Sequence, residues 1–299
     1  MILDPWLDHV PLQLLDDAGV AARLDETGAS ILIVESDFLG PLTMERPLVV
    51  VGATRGDPTN VPVAEATAAG IPVLHTPGRN ADAVAEMAVA LLFAVTRHIV
   101  PADRDARARQ MFRDQKIAYQ HYRAWQVAGS TIGVVGFGAV GRAVAWRFAG
   151  LGATVITSDP FATDATHGLD DLLAEADVVS MHAAVTPDSF GLMNEARFAQ
   201  MKSGSVYLNT ARAGLHDLDA LTEALRSGHL AGAGLDHFDG ERLPKGHPII
   251  DLEQVVLTPH IGGATYDTEI RQTEMIVADV LAVLDGRAPV HCVNREVLR

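Results

Sequence analysis

The sequence predicts an α/β protein built on parallel sheets with helices on both faces. Three observations predict it: strand-like and helix-like segments take turns along the chain, most strand-like runs are continuously apolar, and one of them ends in a glycine cluster that opens a helix. A continuously apolar strand is buried on both faces, and the helices between such strands supply the cover. With 299 residues, 48% hydrophobic and 20% charged, the chain can bury a sizeable core and fits two domains better than one.

In order, the strand candidates are "SILIVES" (30–36), "PLVVVGA" (47–53), "IPVLHT" (71–76), "TIGVVGF" (131–137), "ATVITSD" (153–159), "DVVSMHA" (177–183), "SVYLNTA" (205–211), "LAGAGLD" (230–236) and "QVVLTPH" (254–260). Helix starts are marked by side chains that accept backbone N–H bonds: Asn60, Asn80, Asn194 before "EARFAQM", and Asp217 before "LDALTEALRSG", which stops near Gly228. The segment from Ala81 to about Gln110 is expected to run as one helix to Val100, break at Pro101 and resume, as suits a domain or subunit contact. A domain boundary is expected just before it. The polar, aromatic-studded stretch 111–130 then leads into the glycine cluster, and no internal repeat or low-complexity tract interrupts the chain.

Composition narrows the partners. The formal charge is −15, from 23 basic and 38 acidic side chains, and no basic run reverses it locally, which argues against nucleic acid. Cys292, the only cysteine, has no intramolecular disulfide partner, and the start "MILDPWLDHV" lacks the basic and apolar regions of a signal peptide. The most apolar helical segment, Ala83 to Val95, contains Glu86 and ends at Arg97 and His98, too short to span a bilayer. A cytoplasmic setting without membrane or metal is the expectation.

The glycine cluster "GVVGFGAVG" (133–141) carries the first functional reading. Gly136, Gly138 and Gly141 make GxGxxG, with Ala139 and Val140 as the spacer, at the end of a strand and the start of a helix. The first glycine permits a tight turn and the second lets backbone N–H groups approach a pyrophosphate. The third lets helix and strand pack closely, and the helix dipole favours the anion. The next strand ends in Asp159, which suits a ribose 2′-hydroxyl and repels a 2′-phosphate. NAD, in preference to NADP, is the cofactor this arrangement predicts.

A nicotinamide cofactor needs a proton donor and a substrate anchor nearby, and in such sheets both come from the carboxyl ends of strands. Arg212 follows "VYLNTA", Glu241 lies just past "AGLDHFD", and His260 ends "VVLTPH". A histidine can protonate a carbonyl oxygen as hydride arrives, a carboxylate can orient it and favour its charged form, and an arginine fork fits a carboxylate beside a carbonyl. Together they describe 2-keto acid reduction. The plainer alternative makes Arg212 and Glu241 a loop ion pair and His260 one of 12 ordinary histidines.

The stretches "NTARAGLHD" (209–217), "GAGLDHFDGE" (232–241) and "LTPHIGGAT" (257–265), together with the fingerprint, resemble the D-isomer-specific 2-hydroxyacid dehydrogenase family. That family includes phosphoglycerate, glycerate, glyoxylate/hydroxypyruvate and D-lactate dehydrogenases, and the likeness covers most of the chain from about Pro47. The resemblance implies two Rossmann-like, doubly wound domains, with a cofactor domain (81–263) inserted into a discontinuous substrate domain (1–80 plus 264–299). The "VLHTPGRNADAVAE" segment (73–86) would be the hinge, and "DTEIRQTEMIVADVLAVLDGR" (267–287) would make the return. It implies that Arg212 binds the substrate's carboxylate and carbonyl, Glu241 supports the histidine, and His260 is the acid/base. It further places Asp236 at the nicotinamide carboxamide, "HAAVTPDSFGLMN" (182–194) near the cofactor with His182, Val185 and Thr186, and Thr210, Ala211 and Gly262 beside it. Members usually form homodimers through the cofactor domain.

Departures from the family pattern sharpen the reading. Ala213 replaces a glycine often found after the arginine, and His216 and His237 stand where apolar residues are common; both histidines read as background. Between "LQLLDDAGVAARL" (12–24) and "SILIVES" there is little room for the usual additional helix. The loop Ala53, Thr54, Arg55, Gly56 replaces a glycine-rich turn that holds the substrate carboxylate, so Arg55 is expected either to meet a second anionic or polyhydroxy end of the substrate or to pair with Asp57. The chain ends at Arg299, so a serine-regulated C-terminal domain is not expected. Two alternatives stay open: an NAD-sensing scaffold of the corepressor type, and a dehydrogenase of another small anion such as formate or phosphite; formate enzymes resembling this family carry glutamine where Glu241 stands, which argues against that route.

Overall fold

The computed structural model describes residues 2–3, 28, 30–34, 47–110, 112–113 and 115–298, and the chain divides into two compact units: Met1–Arg79 with Ala264–Arg299, and Asn80–Gly263. The stretch 12–24, Glu35, Ser36 and Met111 lie outside the described residues.

In the smaller unit, four strands run parallel in the spatial order β1 (Ile2–Leu3), β2 (Ser30–Val34), β3 (Leu48–Ala53), β4 (Val73–Leu74). Strand alternation sorts the apolar run "SILIV" onto two faces. Ile31 and Ile33 join Val50, Leu74, Ile276 and Val280 in one core, while Leu32 and Val34 join Val51, Ala53, Ala66 and Val73 in the other. The helix α1 (Val63–Ala68) starts after Pro62 and not at Asn60 as expected. Proline disfavours helical backbone in the residue before it, so the helix waits until Pro62 is passed.

The larger unit begins with α2 (Ala81–Thr96) and α3 (Ile99–Arg107). The break falls at Arg97–His98, where His98 takes φ 52°, and not at Pro101. Pro101 sits in the first turn of α3, where its missing N–H leaves no bond unmade. A short antiparallel pair, β5 (Phe112–Arg113) and β6 (Lys116–Ile117), and the turn α4 (Ala118–His121) follow.

The main sheet then alternates β7 (Thr131–Val135), α5 (Ala139–Gly150), β8 (Thr154–Ser158), α6 (Leu169–Glu175), β9 (Val178–Met181), α7 (Glu195–Gln200), β10 (Ser205–Asn209), α8 (Leu218–Arg226), β11 (Leu230–Leu235) and β12 (Val255–Leu257). All six strands are parallel in the order β12-β11-β10-β9-β7-β8. The order reverses between β7 and β9, and the crevice outside the strand ends at such a reversal is where ligands bind. Both faces are covered, one around Leu172, Phe198, Tyr207, Leu221 and Leu235, the other around Leu91, Leu92, Ile132, Val144, Phe148 and Leu208. Every strand run read from the sequence contains a strand among its described residues. At the carboxyl ends of β8, β9, β11 and β12, Asp159, His182, Asp236 and His260 lie beyond the ladder in loops.

Asn194 and Asp217 cap α7 and α8, accepting from Arg197 N at 3.1 Å and Ala220 N at 3.0 Å. The chain returns to the smaller unit through α9 (Tyr266–Leu284), capped by Thr265. Buried Asp279 on α9 accepts bonds from the backbone N–H groups of Val290 (2.7 Å) and His291 (3.0 Å). Asn294, 2% exposed, then accepts from Val73 N at 2.7 Å and donates to Ile71 O at 2.9 Å. Among the described residues no single helix is long and apolar enough to cross a membrane.

Candidate active site

All three ionisable residues of the predicted trio lie in the larger unit, on loops that follow three neighbouring strands: Arg212 after β10, Glu241 after β11 and His260 after β12. His260 Nδ1 and Glu241 Oε1 are 2.8 Å apart, and both residues are exposed. Both also hold left-handed backbone, φ 55° at His260 and 57° at Glu241. Non-glycine residues in that region are uncommon and carry strain that the surroundings must hold.

Buried Asp236 supplies part of that hold. Its Oδ1 accepts from Thr258 Oγ1 (2.5 Å) and Ile261 N (3.0 Å), and its Oδ2 accepts from Gly262 N (2.7 Å). The His260 loop is therefore tied on both sides to a carboxylate at the end of the neighbouring strand. A Cβ on residue 262 would stand 2.7 Å from Asp236 Oδ2, so glycine is required there. Sequence reading assigned Asp236 to the nicotinamide carboxamide; in the structure both its oxygens serve the 258–262 loop.

The Arg212 loop is arranged by Asn209, whose Oδ1 accepts from Ala211 N (2.9 Å) and whose Nδ2 donates to Arg212 O (2.9 Å) and His216 Nδ1 (2.8 Å). Burial lowers the His216 pKa to about 4, so His216 stays neutral and serves the loop. Arg212 donates from Nη1 to Ala211 O (2.8 Å) and has no acidic partner among the described residues. The loop ion pair between Arg212 and Glu241 does not form; Glu241 pairs with histidine.

His237, read from the sequence as background, is corrected by the structure. Its Nε2 lies 3.5 Å from Glu241 Oε1, its ring centroid is 4.4 Å from that of His260, and its Nδ1 accepts from Ala213 N at 3.3 Å. The available signal was its position at the carboxyl end of β11, four residues before Glu241. Donor atoms of His237, Glu241 and His260 lie within 4.8 Å of one another, a span that suits a divalent cation. The Ala213 N–H on Nδ1, however, places the proton of the neutral ring on Nε2, which opposes coordination through that atom.

The fingerprint loop explains its glycines. A Cβ on Gly136, at φ 92°, would collide with the backbone of Ala183 after β9, and a Cβ on Gly141 would collide with the Gly136 carbonyl. Gly138 has open space in that direction and begins α5 with no side-chain cap, so the helix presents its first N–H groups to a ligand. Asp159 accepts from Phe137 N (2.7 Å) and Phe161 N (2.8 Å), which fixes its carboxylate against the glycine loop. Thr210 Oγ1 is buried with no partner among the described residues, leaving an acceptor and donor for a bound group. These features fit a dinucleotide.

Val185 and Thr186 are exposed, whereas the His182 ring is turned inward, Nε2 meeting Ser180 Oγ at 2.8 Å and Nδ1 enclosed without a partner. Desolvation lowers the His182 pKa to about 3, so its ring is a neutral interior group. Ala53, Thr54, Arg55 and Gly56 belong to the smaller unit, where Ala53 and Thr54 are buried, Arg55 is half-buried and Gly56 exposed.

A doubly wound NAD-binding unit carrying an arginine, a glutamate and a histidine on successive strand ends defines a class, and comparison with known proteins agrees. Residues 89–262 match the model of the D-isomer specific 2-hydroxyacid dehydrogenase, NAD binding domain. The chain is 40% identical over 254 residues to a glyoxylate reductase of Thermofilum pendens, covering 80% of this chain and 73% of that one. It is 39% identical over 243 residues to a D-3-phosphoglycerate dehydrogenase of Mycobacterium leprae, covering 79% of this chain and 45% of that longer one. Among solved structures, the TT0316 protein from Thermus thermophilus superposes with a TM-score of 0.83 at 37% identity, over 97% of this chain and 98% of that one. The chain belongs to the D-isomer specific 2-hydroxyacid dehydrogenase family. It is an NAD-dependent oxidoreductase acting on a small 2-hydroxy acid and its 2-keto acid.

Proposed function

We propose that the chain reduces a small 2-keto acid to the D-2-hydroxy acid with His260 as proton donor, Glu241 as its support and Arg212 as the substrate anchor. The observation that carries this reading is the 2.8 Å bond between His260 Nδ1 and Glu241 Oε1. It assigns the Nδ1 proton of His260 to the carboxylate and leaves Nε2 for the substrate oxygen. When bound, the nicotinamide cofactor supplies the hydride to C2 of the keto acid. The Arg212 fork binds the carboxylate and the C2 oxygen, and the His260 imidazolium gives its Nε2 proton to that oxygen as negative charge grows there. Glu241 stabilises the imidazolium that waits for substrate. In the reverse direction the neutral ring accepts the hydroxyl proton at Nε2.

Cofactor contacts are proposed at Gly136, Gly138, Ala139, Val140 and Gly141 for the pyrophosphate, Asp159 for the ribose, and Val185, Thr186, Thr210, Ala211 and Gly262 for the remainder. We assign the smaller unit to substrate. Its Arg55 is the reader of a second polar end, supported by a loop held through Thr76 N to Arg55 O (2.8 Å) and His75 Nδ1 to Gly56 O (2.9 Å). Glyoxylate and hydroxypyruvate are the first substrates this reading names, given the glyoxylate reductase relatives. A cytoplasmic homodimer is the proposed working form.

The test is NADH oxidation, with NADPH in parallel, over glyoxylate, hydroxypyruvate, phosphohydroxypyruvate, pyruvate and longer keto acids. Turnover that prefers NADH and disappears in His260→Ala supports the assignment. NADH binding without turnover of any keto acid favours the sensing scaffold, and turnover that survives in His260→Ala refutes the proton donor.

A further inference from the structure

His237 lies against Glu241, His260 and the loop that carries Arg212. Its Nδ1 accepts the backbone N–H of Ala213, the residue after Arg212, at 3.3 Å. Its Nε2 faces Glu241 Oε1 at 3.5 Å, the same oxygen that His260 Nδ1 meets at 2.8 Å. Its ring lies against the His260 ring, centroids 4.4 Å apart. The side chain is 14% exposed, against 40% for His260 and 56% for Glu241, so it is the interior member of the three. Because a backbone N–H can only donate, the neutral His237 ring carries its proton on Nε2, the atom that faces Glu241 Oε1 at 3.5 Å.

We propose that His237 is a positioning residue that binds the Arg212 loop with one ring nitrogen and competes with His260 for Glu241 with the other. This deepens the reading above and rests on it. The first contact fixes where the arginine loop stands relative to Glu241. The second shares one carboxylate oxygen between two imidazoles, so only one of the two rings takes a proton readily.

The groups facing His237 decide which one. Glu241 and Asp236 favour a charge on it, whereas His260 and Arg212 oppose it, and His216 behind it is neutral. Desolvation by burial, then His260, dominate and lower the His237 pKa. His237 therefore remains neutral while His260 carries the proton used in reduction. By drawing on Glu241, it weakens the hold of that carboxylate on the His260 imidazolium and limits how far into alkaline pH reduction persists.

Two substitutions separate the two contacts. In His237→Asn the shorter amide keeps an acceptor for Ala213 N–H but does not reach Glu241. The pH midpoint of keto-acid reduction is expected to rise by about half a unit with KM little changed. In His237→Gln the longer amide keeps a donor for Glu241 but gives up the Ala213 bond; KM is expected to rise several-fold with the midpoint unmoved. Histidine ring NMR on the cofactor-free protein gives a readout that needs no turnover: the His260 titration should move upward in His237→Asn and stay in place in His237→Gln, with thermal unfolding confirming that both variants fold. A His260 titration that is the same in wild type and His237→Asn would overturn the proposal even if His260 proves catalytic. Conversely, loss of the acid/base reading, through an active His260→Ala, leaves the NMR comparison still able to show or refute the coupling.

Discussion

His260 and Glu241 meet across 2.8 Å while both backbones hold φ near 55°, at 55° and 57°. Left-handed backbone at both positions aims the two side chains at each other, and the Asp236 carboxylate ties down the 261–262 backbone beside His260. His260→Ala is expected to lower kcat by about 100- to 10,000-fold, the usual worth of a placed acid/base, with NADH affinity kept. Steady-state kinetics with fluorescence titration of NADH checks both halves.

Reduction needs a protonated ring and oxidation a neutral one. Raising the pH should therefore diminish reduction and promote oxidation through the histidine range, and Glu241→Gln, which removes the supporting charge, should move the reduction midpoint to lower pH. Initial rates in both directions between about pH 5 and 9 measure it; a flat profile for reduction counts against His260 as donor.

Asp159 aims a fixed carboxylate at the end of β8. Asp159→Ala removes the repulsion toward a 2′-phosphate and is expected to raise the NADPH/NADH ratio of kcat/KM by about tenfold or more, since each ~1.4 kcal/mol is tenfold. Unchanged preference for NADH would place discrimination elsewhere.

Two enclosed histidines make acid costly. The pKa values of His182 and His216 are lowered from 6.5 to about 3 and about 4, each chiefly by desolvation. Between those values and 6.5 the unfolded chain binds protons that the folded chain refuses, so stability is greatest above 6.5 and falls as pH drops toward 4. The loss is on the order of a few kcal/mol per ring. Denaturant unfolding from neutral to acid pH should show it, and His216→Asn, which keeps an acceptor for Asn209, should flatten the slope.

Asn294 holds the returning chain to β4 through Val73 N and Ile71 O from a position 2% exposed. Asn294→Ala leaves those groups buried and unpaired, at a cost of roughly 1–3 kcal/mol in chemical denaturation with the fingerprint intact. Wild-type stability in this variant would mean the backbone finds other partners.

Much of the fold was legible in the amino-acid sequence. Apolar runs located nine of the twelve described strands, the caps at Asn194 and Asp217 stand where they were read, and the order of strand, GxGxxG, helix and acid specified the dinucleotide unit, because these signals are local and each segment carries its own periodicity and punctuation. The trio was legible as residue types at strand ends. Its mutual geometry was not. That His237 stands against His260 and not in the background, that Asp236 serves a loop backbone, that His182 faces inward, and that the long helix breaks at His98 before Pro101 all depend on contacts between distant segments or on backbone angles that no single residue dictates. The order β12-β11-β10 sets three loop ends side by side, and only their folded paths decide which imidazole reaches Glu241 first.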